Sequence, residues 1–206
     1  MLIEGPLIAA TDAADRTANA LIGPHAVIHA VAAMREHLGE EATCNILKSA
    51  QLPELPSGER MIPETDVLRL HRWLALREPT RCFTIAGEAA KRTADYIIAN
   101  RIPVTASWLL NALPDSISGP MLMSAIRRHA WTFVGAGRFT PNGGWEFAID
   151  RFEASDPVPL PDSLFHWYGK VFEQLFRRLV SPDCSCELDR STSPMPYGRK
   201  YCITRR

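Results

Sequence analysis

The chain has 206 residues, 46% of them apolar, which is enough for one sizeable core with a short appended arm. Lysine plus arginine equals aspartate plus glutamate at 23 each, so no overall field draws the chain to nucleic acid or to an anionic membrane, and its apolar runs break off short of the roughly 20 residues that span a bilayer. Five cysteines, an odd number spread from Cys44 to Cys202, are unlike the dense framework of a small secreted domain; with no basic-then-apolar leader, the expectation is a cytoplasmic protein with reduced thiols.

Residues 1–20 show no sustained period and read as an N-terminal arm, leaving 21–206 as one domain. Gly23-Pro24 opens a helix on which Val27, Val31, Met34 and Leu38 share a face until Gly39. A shorter helix over Glu40–Ala50 ends in the Pro-rich loop at Leu52–Gly58. Pro63-Glu64-Thr65-Asp66 starts another helix, with acids in its first turn and Val67, Leu70 and Leu74 behind them. Thr80–Asn100 follows with helical spacing through Tyr96, and its Ala-Gly-Glu-Ala-Ala centre permits close packing. Arg101-Ile102-Pro103 stops it, Thr105–Leu113 is a short apolar helix, and a further helix carries Met121, Leu122, Ala125, Ile126 and Ala130 on one face.

From Trp131 the apolar period becomes two. Trp131, Phe133, Gly135, Gly137 and Phe139 fall on one side of an expected strand, Pro141-Asn142-Gly143-Gly144 supplies a tight hairpin, and Trp145, Phe147 and Ile149 line the return strand. Asp156–Asp162 is an extended connector because of its three prolines, and Asp162 or Ser163 caps a helix with a broad apolar face from Leu164 to Leu179. Two strands, Cys184–Arg190 and Arg199–Thr204, flank a Pro-rich turn at Pro194–Gly198. The sum is an α+β domain, five or six helices packed on one face of a roughly four-stranded antiparallel sheet.

Candidate site residues gather where the helix meets the aromatic stretch. His129 is the imidazole at that junction; Trp131, Phe133 and Phe139 supply flat apolar rings; Gly135 and Gly137 leave room against the backbone or mark a bend; Arg138 and Arg101 are cations. Tyr96 on the helix before Arg101, and His166 and Trp167 at the start of the penultimate helix, complete the set. An imidazole, aromatic rings and a cation suit a large aromatic ligand that carries a metal and a carboxylate. His129 equally suits the C-terminal end of its helix, where imidazolium meets the dipole. Cys184 and Cys186 share a strand face, so with Cys202 and Glu187 they are a weak zinc candidate, with buried structural thiols the alternative. Gly135-Ala136-Gly137 is the only stretch resembling a dinucleotide loop; it leads into a hairpin instead of a helix, and the cysteines lack an iron-sulfur pattern.

The Ala-Ile-x-x-His-Ala-Trp-Thr-Phe-x-Gly-x-Gly-x-Phe run, with Arg101-Ile102-Pro103, Leu113-Pro114, Tyr168-Gly169 and Cys202, resembles the 4-vinyl reductase domain family. These are small bacteriochlorophyll-biosynthesis proteins of purple phototrophs, historically named bacteriochlorophyll 4-vinyl reductase, and the resemblance spans roughly residues 20–206. Their wider ligand-binding superfamily includes aromatic-sensor domains and Golgi transport-particle subunits. The resemblance implies helices on one side of a twisted antiparallel sheet, an apolar ligand chamber, homodimerisation, and a magnesium porphyrin as ligand; its name implies reduction of a vinyl group, whereas the missing dinucleotide loop and iron-sulfur pattern lead to the expectation of no redox group of the protein's own. It implies magnesium-chelatase or other pathway enzymes as partners, and through them a position peripheral to photosynthetic membranes. Zinc-binding relatives carry a glutamate and further cysteines ahead of the last cysteine, where this chain has Ser191 and Pro194. Three functions fit: a carrier that binds and delivers a magnesium-porphyrin or chlorophyllide intermediate, a vinyl reductase with an external electron donor, and a ligand-gated interaction module.

Overall fold

The computed structural model describes residues 20–52, 54–151, 160–189 and 198–205. The N-terminal arm up to residue 19, the Pro-rich connector up to residue 159, and the turn holding Ser191 and Pro194 fall outside the described residues. In chain order the elements are β1 (Leu21–Ile22), α1 (His25–Leu38), α2 (Glu40–Ser49), β2 (Ile62–Pro63), α3 (Glu64–Arg77), α4 (Cys82–Asn100), α5 (Val104–Ala112), α6 (Asp115–Arg128), α7 (Trp131–Val134), β3 (Arg138–Asn142), β4 (Glu146–Asp150), α8 (Asp162–Leu179), β5 (Cys184–Leu188) and β6 (Gly198–Arg205). Four strands form one antiparallel sheet in the order β3-β4-β6-β5, and β1 pairs with β2 in a separate two-stranded ribbon.

The α+β class and the antiparallel sheet agree with the sequence. Eight helices are described against five or six expected; the short α2 and α5 fall where the sequence placed short helices, and α7 falls where it placed a strand. Amphipathic α8 lies on the sheet: Phe172 stacks on Phe147 with ring centroids 4.0 Å apart, and Phe147 stacks on Tyr201 at 4.6 Å. On its far side α8 packs against α4, and α4 against α1. The buried Ala86, Ala89, Ala90 and Ala94 of α4 make room for both neighbours. The sheet, α8, α4 and α1 thus succeed one another as layers, with one core running through them.

The strand expected from Trp131 is a correction. Thr132, Phe133 and Val134 donate their N–H groups to the carbonyls of His129 and Ala130, so Trp131–Val134 is one helical turn, α7. Gly135 at φ 54° ends it, and β3 begins only at Arg138. Alternation over so few residues fits a turn as well as a strand, and the turn satisfies its backbone locally while the chain swings from α6 to the sheet. The hairpin itself is present, with Phe139 opposite Ile149 and Asn142 opposite Glu146. Pro141 and Asn142 belong to β3, and Gly143 at φ 67° starts the connection to β4.

Candidate functional site

Glu64 opens α3, where an acid satisfies the helix dipole from the surface of most proteins. Here its side chain is only 2% exposed, and its partner Arg151, just past β4, is 1% exposed. Arg151 uses one guanidinium nitrogen on Glu64 Oε1 and the other on the Tyr168 hydroxyl of α8. Tyr168 in turn donates to the Phe133 carbonyl at 2.8 Å, and the second Glu64 oxygen accepts the Ala136 N–H at 2.7 Å. A buried acid, cation and phenol therefore hold the C-terminal end of the α7 turn and the loop after it onto the core. Burial raises the Tyr168 phenol above its ordinary range, so it stays a protonated donor.

The two glycines have a steric explanation in this network. A Cβ on Gly135 would overlap the Glu64 carboxylate, and one on Gly137 would lie 2.5 Å from the Asp150 carbonyl. The Gly135-Ala136-Gly137 loop already presents its N–H to an anion, the protein's own Glu64, so a nucleotide phosphate would have to displace a buried carboxylate to use it. Gly135→Ala is expected to lower stability by about 2 kcal/mol, since a positive φ and a clash act together; a denaturant midpoint equal to that of the parent would show that the loop does not need glycine.

Two turns into α3, His71 occupies the apolar face with Leu70 and Leu74 and is 1% exposed. Neither of its ring nitrogens has a hydrogen-bond partner among the described residues, nor does the indole N–H of Trp167, whose ring centroid is 6.4 Å away. Burial first, and then the charge of Arg151, pull the His71 imidazole down to about 4, so it is neutral at physiological pH. Trp167 is buried against His71 and Tyr168, while its neighbour His166 is half-buried edge-on to Phe83.

The remaining candidates separate by depth. Phe133 and Phe139 pack edge to face at 5.7 Å and both meet Phe172, within the aromatic core over the sheet. Tyr96 stacks on His25 at 3.6 Å, and the Arg101 guanidinium lies 5.9 Å from the same ring. Burial, followed by the Arg101 charge, lowers the His25 imidazole. His29, one turn on, meets Thr93 Oγ1 at 3.1 Å. That hydroxyl gives its hydrogen to the Ala89 carbonyl at 2.8 Å, so His29 carries its proton on Nδ1 and leaves Nε2 as an acceptor. Burial, His25 and Arg92 lower the His29 imidazole to about 4.

His129 and Trp131 lie at the surface. His129 is the residue on which α6 ends, its ring exposed, and the Trp131 indole is 62% exposed beside it in sequence. Arg138, also exposed, begins β3. The expected set is thus divided between a packed interior (Phe133, Gly135, Gly137, Phe139, Trp167) and an outer group (Tyr96, Arg101, His129, Trp131, Arg138, His166).

The cysteines do not come together. Cys186 is opposite Ile203 on β6, whereas Cys202 is opposite Glu187, so the pleat turns Cys184 and Cys186 toward α8 and Cys202 to the other face. The Glu173 carboxylate takes the Cys186 N–H at 3.0 Å, and burial pushes the Cys186 thiol above its ordinary range. Among the described residues no three histidine, cysteine or acidic side chains converge as metal ligands.

Local pattern does not mark Glu64, Arg151 and Tyr168 as site residues. Glu64 and Tyr168 occupy positions where a first-turn acid and an apolar-stripe aromatic are ordinary. His71, missed as well, did leave a signal, a histidine amid Val67, Leu70 and Leu74 on a helix face that is otherwise apolar.

No protein-family model matches the chain. It is 38% identical over 185 residues to the bacteriochlorophyll synthase 23 kDa chain of Cereibacter sphaeroides, covering 88% of this chain and 87% of that one. It is 33% identical over 168 residues to the protein of the same name from Rhodobacter capsulatus, covering 81% and 78%. Among solved structures, the Fe(II) unliganded H-NOX protein from K. algicida superposes with a TM-score of 0.57 at 11% identity, covering 90% of this chain and 97% of that one. A point mutant of the T. tengcongensis H-NOX gives a TM-score of 0.52 at 12% identity, over 86% and 93%. The likeness to these two is one of fold.

Proposed function

The chain belongs to the family of the bacteriochlorophyll synthase 23 kDa chain, and from that premise we propose that it binds a magnesium porphyrin or chlorophyllide intermediate of bacteriochlorophyll biosynthesis and delivers it to a pathway enzyme. The observation that carries this reading is the exposed end of α6. Arg127, Arg128, His129 and Trp131 fall within five residues, with the imidazole and indole outside the core. A magnesium tetrapyrrole is a flat apolar ring with anionic edge groups and a metal whose equatorial positions the ring nitrogens already fill. An indole can cover the ring, guanidinium groups can meet the carboxylates, and a neutral imidazole can take an axial position. Tyr96, Arg101 and Arg138 are the further contacts in this reading, with the interior set as the rigid base that fixes α7 and β3.

A carrier is supported over a reductase by the Gly135-Ala136-Gly137 loop, whose central N–H serves Glu64. The test is a titration with magnesium protoporphyrin and metal-free protoporphyrin, read by Soret absorption and tryptophan quenching. His129→Ala is expected to weaken the magnesium ring by about tenfold to a hundredfold, or about 1–3 kcal/mol, and to leave the metal-free ring unchanged. Equal loss for both rings would remove His129 from the metal, and no binding of either ring would sink the carrier reading. Catalytic loss of the vinyl group with reduced nicotinamide as the sole donor would establish the reductase instead.

A further inference from the structure

From Val104 to Ile126 the chain carries one charged residue, Asp115, in a protein that is 22% charged. This stretch folds as α5 and α6, which pack on each other and leave much of their apolar surface outside. Val104 is 85% exposed and Trp108 73%, and Leu109, Ile117 and Met121 are exposed with them. Of the ten large apolar side chains exposed among the described residues, six fall between Val104 and Trp131, on the consecutive elements α5, α6 and α7, the first two of which touch. On α6, Ile117, Met121 and Ala125 follow one another at four-residue steps, and the stripe they make runs on to Arg128.

The rim of this patch is basic. Arg101 precedes α5, Arg127 and Arg128 end α6, and all three are exposed. Between Arg101 and Arg138 four arginines stand against one aspartate, in a chain whose formal charge is zero overall. That aspartate, Asp115, is itself paired with Arg205. We propose that α5 and α6 form a peripheral docking face for an anionic lipid bilayer, with Val104, Trp108 and Met121 entering the headgroup region and the arginines meeting lipid phosphates. An interfacial segment has this composition, with aromatic and aliphatic groups on the surface and guanidinium groups around them. No helix among the described residues is long and apolar enough to cross a membrane, so the contact lies on the bilayer.

The inference concerns direct contact with lipid, and its test contains no pigment, so it stands or falls apart from the carrier reading. The full chain is sedimented with vesicles of phosphatidylcholine alone, and of phosphatidylcholine with phosphatidylglycerol in equal parts. Wild type is expected to sediment with the anionic vesicles and to bind the neutral ones about tenfold more weakly or less still. Arg127→Gln and Arg128→Gln should each cost about fivefold on the anionic vesicles only, whereas Trp108→Ser combined with Val104→Ser should lower binding about tenfold or more on both. These side chains are exposed, and unchanged far-UV circular dichroism keeps the comparison one of folded proteins. Wild type failing to bind anionic vesicles, or the double serine variant binding as wild type does, overturns the proposal. So does a wild-type dimer that Trp108→Ser dissociates without any vesicle binding, which would give the face to a second copy of the chain.

Discussion

Arg151→Met is expected to cost the fold about 3–5 kcal/mol, because it leaves the Glu64 carboxylate buried without its cation. Glu64 has no route to solvent at 2% exposure, and its second oxygen is already committed to the Ala136 N–H. The Tyr168 hydroxyl loses the same donor, although it keeps the Phe133 carbonyl. For a chain of this size such a loss corresponds to a fall in melting temperature of roughly 10 °C. Combining Arg151→Met with Glu64→Leu should recover part of the loss, since the pair is then removed as a unit and the remaining cost is chiefly the orphaned Ala136 N–H. Urea unfolding of the two single variants and the double variant measures the coupling. Single variants that each cost under about 1 kcal/mol and add without coupling would mean that the pair is solvated and that the α7 turn is held by other contacts.

Acidification is the second large effect. The His71 imidazole is buried in the neutral form and its folded value, about 4, lies below its ordinary 6.5. The unfolded chain therefore takes up a proton as pH falls through about 6.5 while the folded chain does not. The stability held by the neutral ring is fully present above 6.5, is lost progressively down to about 4, and changes no further below that. A difference of this size amounts to about 3 kcal/mol in all, roughly 2 of which are gone by pH 5. His29, lowered for similar reasons but half-exposed, acts in the same direction with its effect screened by solvent. His71→Leu should leave stability at pH 7 within about 1 kcal/mol of the parent, because an apolar group replaces a ring with no polar partner among the described residues. The variant should then lose most of the difference between pH 7 and pH 5 in denaturant unfolding. A parent whose stability is flat over that window, or a leucine variant with the parent's full slope, would show that His71 is solvated or protonated in the fold.

The two effects act at one place. Arg151 is both the cation that holds Glu64 and a charge that disfavours protonation of His71, so α3, the end of β4 and α8 are tied electrically as well as by packing. This base fixes Phe133, Gly135 and Ala136, and through them the start of β3. His129 and Trp131 sit immediately before it, in a turn whose backbone hydrogen bonds are made locally. In the carrier reading, the rigid interior sets the direction of the exposed groups, and the two should respond differently to substitution. Arg151→Met acts on stability, while His129→Ala acts on binding of the magnesium ring.

What the sequence determined by itself was the part of the fold written in local patterns. Gly23-Pro24 and Gly39 bracket α1, the apolar stripe from Leu164 to Leu179 defines α8, and alternation through Phe147 and Ile149 defines β4, because each depends on residues a few positions apart. The family resemblance is legible for the same reason, in the contiguous run from Ala125 to Phe139. The tertiary structure decided the rest. Glu64 and Arg151 are 87 positions apart, and nothing local distinguishes a first-turn acid in solvent from one buried against a guanidinium. The same holds for β6, which comes last in the chain, after β5, yet lies between β4 and β5. Trp131–Val134 has the alternation of a strand and forms a helical turn, since a run this short takes whichever conformation lets its ends meet what they join: Gly135 against Glu64 on one side, the end of α6 on the other. Cys184, Cys186 and Cys202 look capable of sharing an ion until the register between β5 and β6 turns Cys202 to the opposite face, a matter of one residue in pairing that the composition of the strands does not encode.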